Sequence, residues 1–163
     1  MSSNIPVARQ IAWISILPQL AFMLLLIFLW YFVYPRMAVN LGVITYLILS
    51  ISLRNLIPKD HKNGMRYIAQ SDYSHAIHHF KKSYDFFQKY KWVDEYRYLT
   101  LFSSSKICYR EMALNNIAFC YAQTGNATEA KVYYEKTLSE FPDSYLAKSA
   151  LKMIETFDQK QVS

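Results

Sequence analysis

Charge is nearly missing from the first third of this 163-residue chain, where residues 1–53 hold only Arg9 and Arg36. A water-facing domain of that length needs charged side chains on its outer faces, so an ordinary soluble N-terminal domain is excluded. Cysteine is scarce as well, with Cys108 and Cys120 alone. Two thiols are too few for a disulfide framework, and on one helix they would stand about 18 Å apart. This usage fits a reducing compartment. Glycine occurs three times, and no P-loop or dinucleotide fingerprint is present. HExxH, CxxC and the nucleophile elbow are absent too. Without clustered acid, base, nucleophile or metal ligands, neither an enzyme nor a cofactor is expected.

What fills the uncharged stretch is apolar. One run extends from Gln10 to Pro35 and a second from Met37 to Leu53. A hydrocarbon core of about 30 Å is crossed by roughly 20 apolar residues in a helix. Residues 1–57 therefore read as a transmembrane hairpin, with helices at about 10–34 and 37–56 and a turn at Pro35-Arg36. Trp13 stands near one end of the first run, and Trp30, Tyr31 and Tyr34 stand at the other, where aromatic rings favour the interface. Neither run contains an ionisable residue, which argues against a proton relay or ion pathway. Asn40, Gly42, Thr45, Ser50 and Ser52 supply small or hydrogen-bonding side chains for helix packing in lipid.

The basic residues lie beyond the second run. Residues 54–110 carry eleven Lys/Arg against five Asp/Glu, whereas 111–163 carry five against seven. Positive charge is retained on the cytoplasmic side of short loops, so both termini are expected in the cytoplasm of an integral protein, with a bacterial inner membrane as the setting. Arg54, Lys59, Lys62 and Arg66 form a juxtamembrane basic patch suited to anionic lipid headgroups. The alternative is a solvated helix face.

An internal repeat occupies the remainder. Residues 63–84 read NGMRYIAQSDYSHAIHHFKKSY, and residues 117–138 read IAFCYAQTGNATEAKVYYEKTL. In register, Gly64 matches Ala118, Tyr67 matches Tyr121, Ala76 matches Ala130, Phe80 matches Tyr134 and Ser83 matches Thr137, with Pro142 closing the second unit. Apolar steps of three and four place each set on one helix face. Gly125-Asn126 reads as the turn of the second unit, with Asn126 or Thr128 as the next cap. Ser104 or Ser105 reads as a cap in the insert, and Asp143 or Ser144 as the cap of a last helix over Ser144–Phe157. That helix carries Tyr145, Ala147, Ala150, Leu151, Ile154 and Phe157 on one side.

The order small residue, tyrosine, turn, alanine, aromatic, small residue, proline resembles the tetratricopeptide repeat family over residues about 58–157. The resemblance implies an all-α chain: the hairpin, then a short α-solenoid of about two helix pairs with a capping helix, and a flexible tail at 158–163. The offset between the units is larger than the family's 34 residues, leaving an insert at about 91–110 rich in aromatics. The repeat core is the first expected burial surface for these rings, and the membrane surface or a partner is the second. The family binds proteins on a concave side lined by first helices. Here that side would comprise His61, Met65, Ile68, Asn115, Asn116, Phe119 and Gln123. The lysine and asparagine clamp of chaperone-tail receptors is not reproduced, so an apolar helix or extended segment is the expected ligand.

His75, His78 and His79, with Asp72, are the one histidine cluster. A packing or solvated role is expected there rather than a metal site. The function implied is a non-enzymatic adaptor, assembly factor or accessory subunit of a membrane complex. Expected partners are another membrane protein or protein segment, and anionic headgroups. A second copy is an allowed arrangement, and no nucleic acid is expected. The rival is an integral transporter or channel subunit whose hairpin makes the essential contact.

Overall fold

The computed structural model describes the backbone of residues 16–162 and the side chains of 16–156. Arg9, Trp13 and the 10–15 portion of the first expected helix lie outside the described residues. The chain divides into two compact units, Met1–Ile57 with Glu95–Cys108 and Pro58–Asp94 with Tyr109–Ser163. Helices account for the regular structure of both, and no strand occurs among the described residues.

In the first unit, α1 (Ile16–Val33) and α2 (Ala38–Leu56) are joined by a single 3₁₀ turn over Pro35–Met37. Tyr34 breaks the helical path with φ −138° and ψ 81°, as expected for a residue preceding proline. The two helical segments are long and apolar enough to cross a membrane. No described residue of α1 is buried, and Leu17, Leu24, Phe28, Phe32, Ile48 and Ile51 are exposed. A soluble core helix would hide such side chains, so this apolar surface is of the kind that a membrane or another protein covers. The helices meet at Gly42, where a Cβ would stand 2.8 Å from the Ile27 Cα. Buried Ala38 and Ser50 flank that approach. The Trp30 indole donates to the Thr45 hydroxyl at 3.1 Å, which in turn donates to the Leu41 carbonyl at 2.7 Å.

The second unit begins with α3 (Lys59–Ala69) and α4 (Tyr73–Lys89). After the short α5 (Lys91–Glu95) and α6 (Arg97–Thr100), it resumes with α7 (Tyr109–Gln123), α8 (Ala127–Glu140) and α9 (Tyr145–Val162). Each long helix packs on the next: α3 on α4, α4 on α7, α7 on α8 and α8 on α9. The α3–α4 and α7–α8 turns are congruent. Ser71 and Gly125 adopt φ of 59° and 77°. The next residue's N–H, of Asp72 or Asn126, donates back to Tyr67 or Tyr121 at 2.9 Å. The Asp72 and Asn126 side chains then cap α4 and α8 by accepting from the N–H groups of His75 and Glu129, satisfying orphan donors of the first turn. Ala76, Phe80, Ala118 and Ala130 are fully enclosed, and Tyr134 is buried. Ala147, Ala150, Leu151 and Ile154 of α9 cover Ala118, Ala130 and Tyr134.

The last helix, α9, runs to Val162. Three expectations need correction. Tyr145 is 70 % exposed, so it does not share the packed face of α9. The insert does not bury as one piece against the repeat core: only its ends do, with Tyr109 packed on Phe87 and His61. Residues 95–108 join the hairpin's unit, with Phe102 lodged against Phe22 of α1 and Tyr46 of α2 at ring-centroid distances of 5.4 and 5.3 Å. Finally, neither Ser104 nor Ser105 caps α7. That task falls to Asp94, whose fully buried carboxylate accepts from the N–H of Tyr109 at 2.6 Å and of Arg110 at 3.1 Å. The Arg110 guanidinium closes the arrangement at 3.1 Å. Asp94→Ala removes the cap and the carboxylate partner of a largely buried cation, so it should lower stability by about 3 kcal/mol. Chemical unfolding of the detergent-solubilised chain measures this, and a loss below about 1 kcal/mol would contradict the assignment.

Candidate functional site

The expected partner face draws on α3 and α7, the first helices of the two pairs, which lie in contact. They meet through Met65 and Asn116, where the amide nitrogen stands 3.6 Å from the thioether sulfur. Phe119 lies one turn further along α7 and meets the Tyr73 ring edge-on at 6.3 Å. Met65, Asn116 and Phe119 are each half-buried, and Gln123 is exposed at the end of α7. Together they form an apolar strip edged by amides. It can take up apolar side chains while hydrogen-bonding an extended backbone.

Three other expected members are not available on this face. Ile68 is 4 % exposed and His61 8 % exposed. The His61 ring is wedged edge-on between Phe80 and Tyr109, at 5.3 and 5.2 Å. Asn115 turns the other way around α7, donating to the Glu111 carbonyl at 3.0 Å and to the Ser144 hydroxyl at 3.4 Å. On a helix of 3.6 residues per turn, these positions lie within a quarter turn of the open strip. The apolar pattern therefore does not separate them from it.

The basic patch is divided by the unit boundary. Arg54 belongs to the hairpin's unit and donates to the Phe102 carbonyl, so it is not simply a free headgroup ligand. Lys59 and Arg66 are exposed on α3, and Lys62 is exposed on the same helix. The Arg66 guanidinium lies over the Tyr67 ring at 5.8 Å. In the histidine cluster the carboxylates are shared out. Asp72 pairs with His75 at 2.7 Å, and Asp60 pairs with His79 at 2.9 Å. Tyr67 stacks on both imidazoles. The His75 hydrogen bonds hold the Asp72 carboxyl below its usual range. Among the described residues no group of three His, Cys, Asp or Glu side chains is placed to hold a metal.

Burial governs the other ionisable groups. It pushes the Cys120 thiol up to about 12 and, with a smaller contribution from Cys120, the Tyr134 phenol up to about 12. Cys120 is therefore an inert core thiol rather than a nucleophile. Tyr84 is also raised, first by burial and then by its hydrogen bond to Glu140. Asp94 and Phe102 had no signal in the sequence for these roles, because each acts on a partner distant in the chain. No family model, curated protein or solved structure matches the chain.

Burial also lowers His61 from 6.5 to about 4, and its Nδ1 has no hydrogen-bond partner. The unfolded chain therefore takes up this proton first. Stability from the neutral, buried ring is complete above pH 6.5 and is lost as the pH falls towards 4. At pH 5 the loss amounts to about 2 kcal/mol. His61→Leu should remove that portion of the acid sensitivity. Unfolding midpoints at pH 7 and pH 5 for the two proteins measure it, and equal pH slopes would contradict it.

Proposed function

We propose that this protein is a membrane-anchored, non-enzymatic adaptor, assembly factor or accessory subunit whose tetratricopeptide-like helical pairs bind a protein partner. The observation that carries the reading is the congruence of the α3–α4 and α7–α8 turns, down to the same positive-φ position, the same cap and the same 2.9 Å backbone bond. A repeated turn of this kind sets successive first helices side by side. The touching strip of Met65, Asn116 and Phe119 then becomes a recognition surface for an apolar helix or extended segment. Anchoring adds to the effect. A partner in the same membrane meets this strip at high local concentration, so a modest interface is enough.

By the charge asymmetry, both termini and the helical pairs lie in the cytoplasm, with a bacterial inner membrane as the setting. Lys59, Lys62 and Arg66, with Arg54, favour an anionic leaflet. The rival, an integral transporter or channel subunit, has one observation in its favour. Asn40 is exposed on α2 among apolar side chains, and an amide facing lipid gains by finding a partner in another membrane protein.

Mild-detergent co-purification distinguishes the two. Met65→Glu combined with Phe119→Glu should reduce partner recovery about tenfold or more while unfolding stays cooperative. Replacing residues 1–57 with an unrelated hairpin should preserve recovery. Retention by the double variant together with loss on the swap would overturn the adaptor reading in favour of the rival. Added protease should spare the helical pairs in intact cells and cut them in inverted membrane vesicles. The reverse pattern would overturn the topology.

A further inference from the structure

Phe102 is 2 % exposed and Leu101 is fully enclosed, and the Phe102 ring reaches well along the hairpin. At 1.5 Å per residue, Tyr46 lies about 12 Å from the start of α2 and about 15 Å from its end. The ring thus sits near the middle of a helix long enough to cross a hydrocarbon core of about 30 Å. The segment that carries it lies alongside the same two helices. Gln19 of α1 donates to the Tyr98 carbonyl at 3.4 Å, and Arg54 of α2 donates to the Phe102 carbonyl.

Irregular backbone at such a depth persists only when its polar groups are satisfied from within. Several polar groups of this segment are satisfied in that way. The Tyr96 carbonyl accepts from the N–H groups of Leu99 and Thr100, and the Arg97 carbonyl accepts from those of Leu101 and Ser103. The Arg97 guanidinium donates to the carbonyls of Ser105 at 3.0 Å and Lys106 at 2.6 Å. The Ser105 hydroxyl donates to the Ile107 carbonyl at 2.9 Å. In water none of these side-chain donors would be required, since solvent serves exposed carbonyls equally well. On the outer side of the segment, Tyr96 is 53 % and Leu99 41 % exposed, while the exposed charges Glu95 and Lys106 stand towards its two ends.

We propose that residues 95–108 form a membrane-embedded wedge, docked on the hairpin through Phe102, whose outer side bearing Tyr96 and Leu99 contacts lipid acyl chains. This rests on the membrane reading of α1 and α2. The wedge widens the lipid-facing surface of the anchor on one flank, and Arg54, near the end of α2, extends its stem along that flank to hold the loop.

The test uses the full-length chain with Cys108→Ser, leaving the buried Cys120 in place, reconstituted in vesicles of phosphatidylcholine and phosphatidylglycerol. Nitroxide labels are placed singly at Leu99→Cys, Tyr96→Cys, Leu24→Cys on α1 and Thr128→Cys in the exposed first turn of α8. Collision with dissolved oxygen is compared with collision with a water-soluble nickel chelate. The wedge requires labels at both Leu99 and Tyr96 to favour oxygen several-fold over the Thr128 label, at a ratio near that of Leu24. If Leu24 favours oxygen while Leu99 and Tyr96 behave like Thr128, the wedge is overturned and the anchor stands. If Leu24 also behaves like Thr128, the membrane reading fails and the wedge falls with it. Phe102→Ala should move the Leu99 label towards the nickel-accessible range. An unchanged ratio there would overturn the docking role given to Phe102.

Discussion

Close approach of helix backbones is the constraint on which both units depend. With three glycines in the chain, two are placed where a Cβ would collide. One is Gly42 against the Ile27 backbone, and the other is Gly64 against the Phe80 ring at 2.7 Å. Ala76, Ala118 and Ala130, each without measurable exposure, continue the same principle through the second unit. Small residues bring the helix axes together, and Phe80, Phe87 and Tyr134 fill the space that remains between them. Such packing tolerates neither added volume nor voids. The congruent turns are consequently held by core geometry as well as by their own caps.

Polar groups are treated differently in the two units. In the hairpin they are few, and some are paired from one helix to the other, as in the Trp30, Thr45 and Leu41 relay. In the second unit a charge is buried outright, at Asp94, but only with two backbone donors and Arg110 around it. His61, Ser83 and Asn115 each retain a buried atom without a hydrogen-bond partner. Such sites are uncommon in native proteins and store a stability deficit. His61 converts its share of that deficit into acid sensitivity.

The helices, the cap at Asn126 and the packed register of Ala76, Phe80, Ala118 and Ala130 could all be read from the sequence, whereas the equivalent cap at Asp72 reads only as part of the histidine cluster. Each is a local pattern, a period of three to four or a turn residue beside its cap. The burial of Phe102 could not, because an apolar side chain carries no label for which apolar surface receives it. Asp94 was overlooked for a related reason. A cap is ordinarily sought next to its helix, and Ser104 and Ser105 lay closer. Of the candidate face, Met65, Asn116 and Phe119 were legible as neighbours through the repeat register. His61, Ile68 and Asn115 were not separable from them, since a slight rotation of a helix decides between a rim and a core.

Asp94 and Tyr109 stand 15 residues apart in sequence yet share a hydrogen bond. In polymer terms, the excursion between them is a ring closed at its base. The entropy of closing such a ring grows only with the logarithm of its length, about 0.6 kcal/mol for each doubling. The helical unit is thus nearly indifferent to how much chain leaves and returns at this point. Evolution could lengthen, shorten or exchange the excursion as a separate module while the start of α7 stayed where the carboxylate holds it.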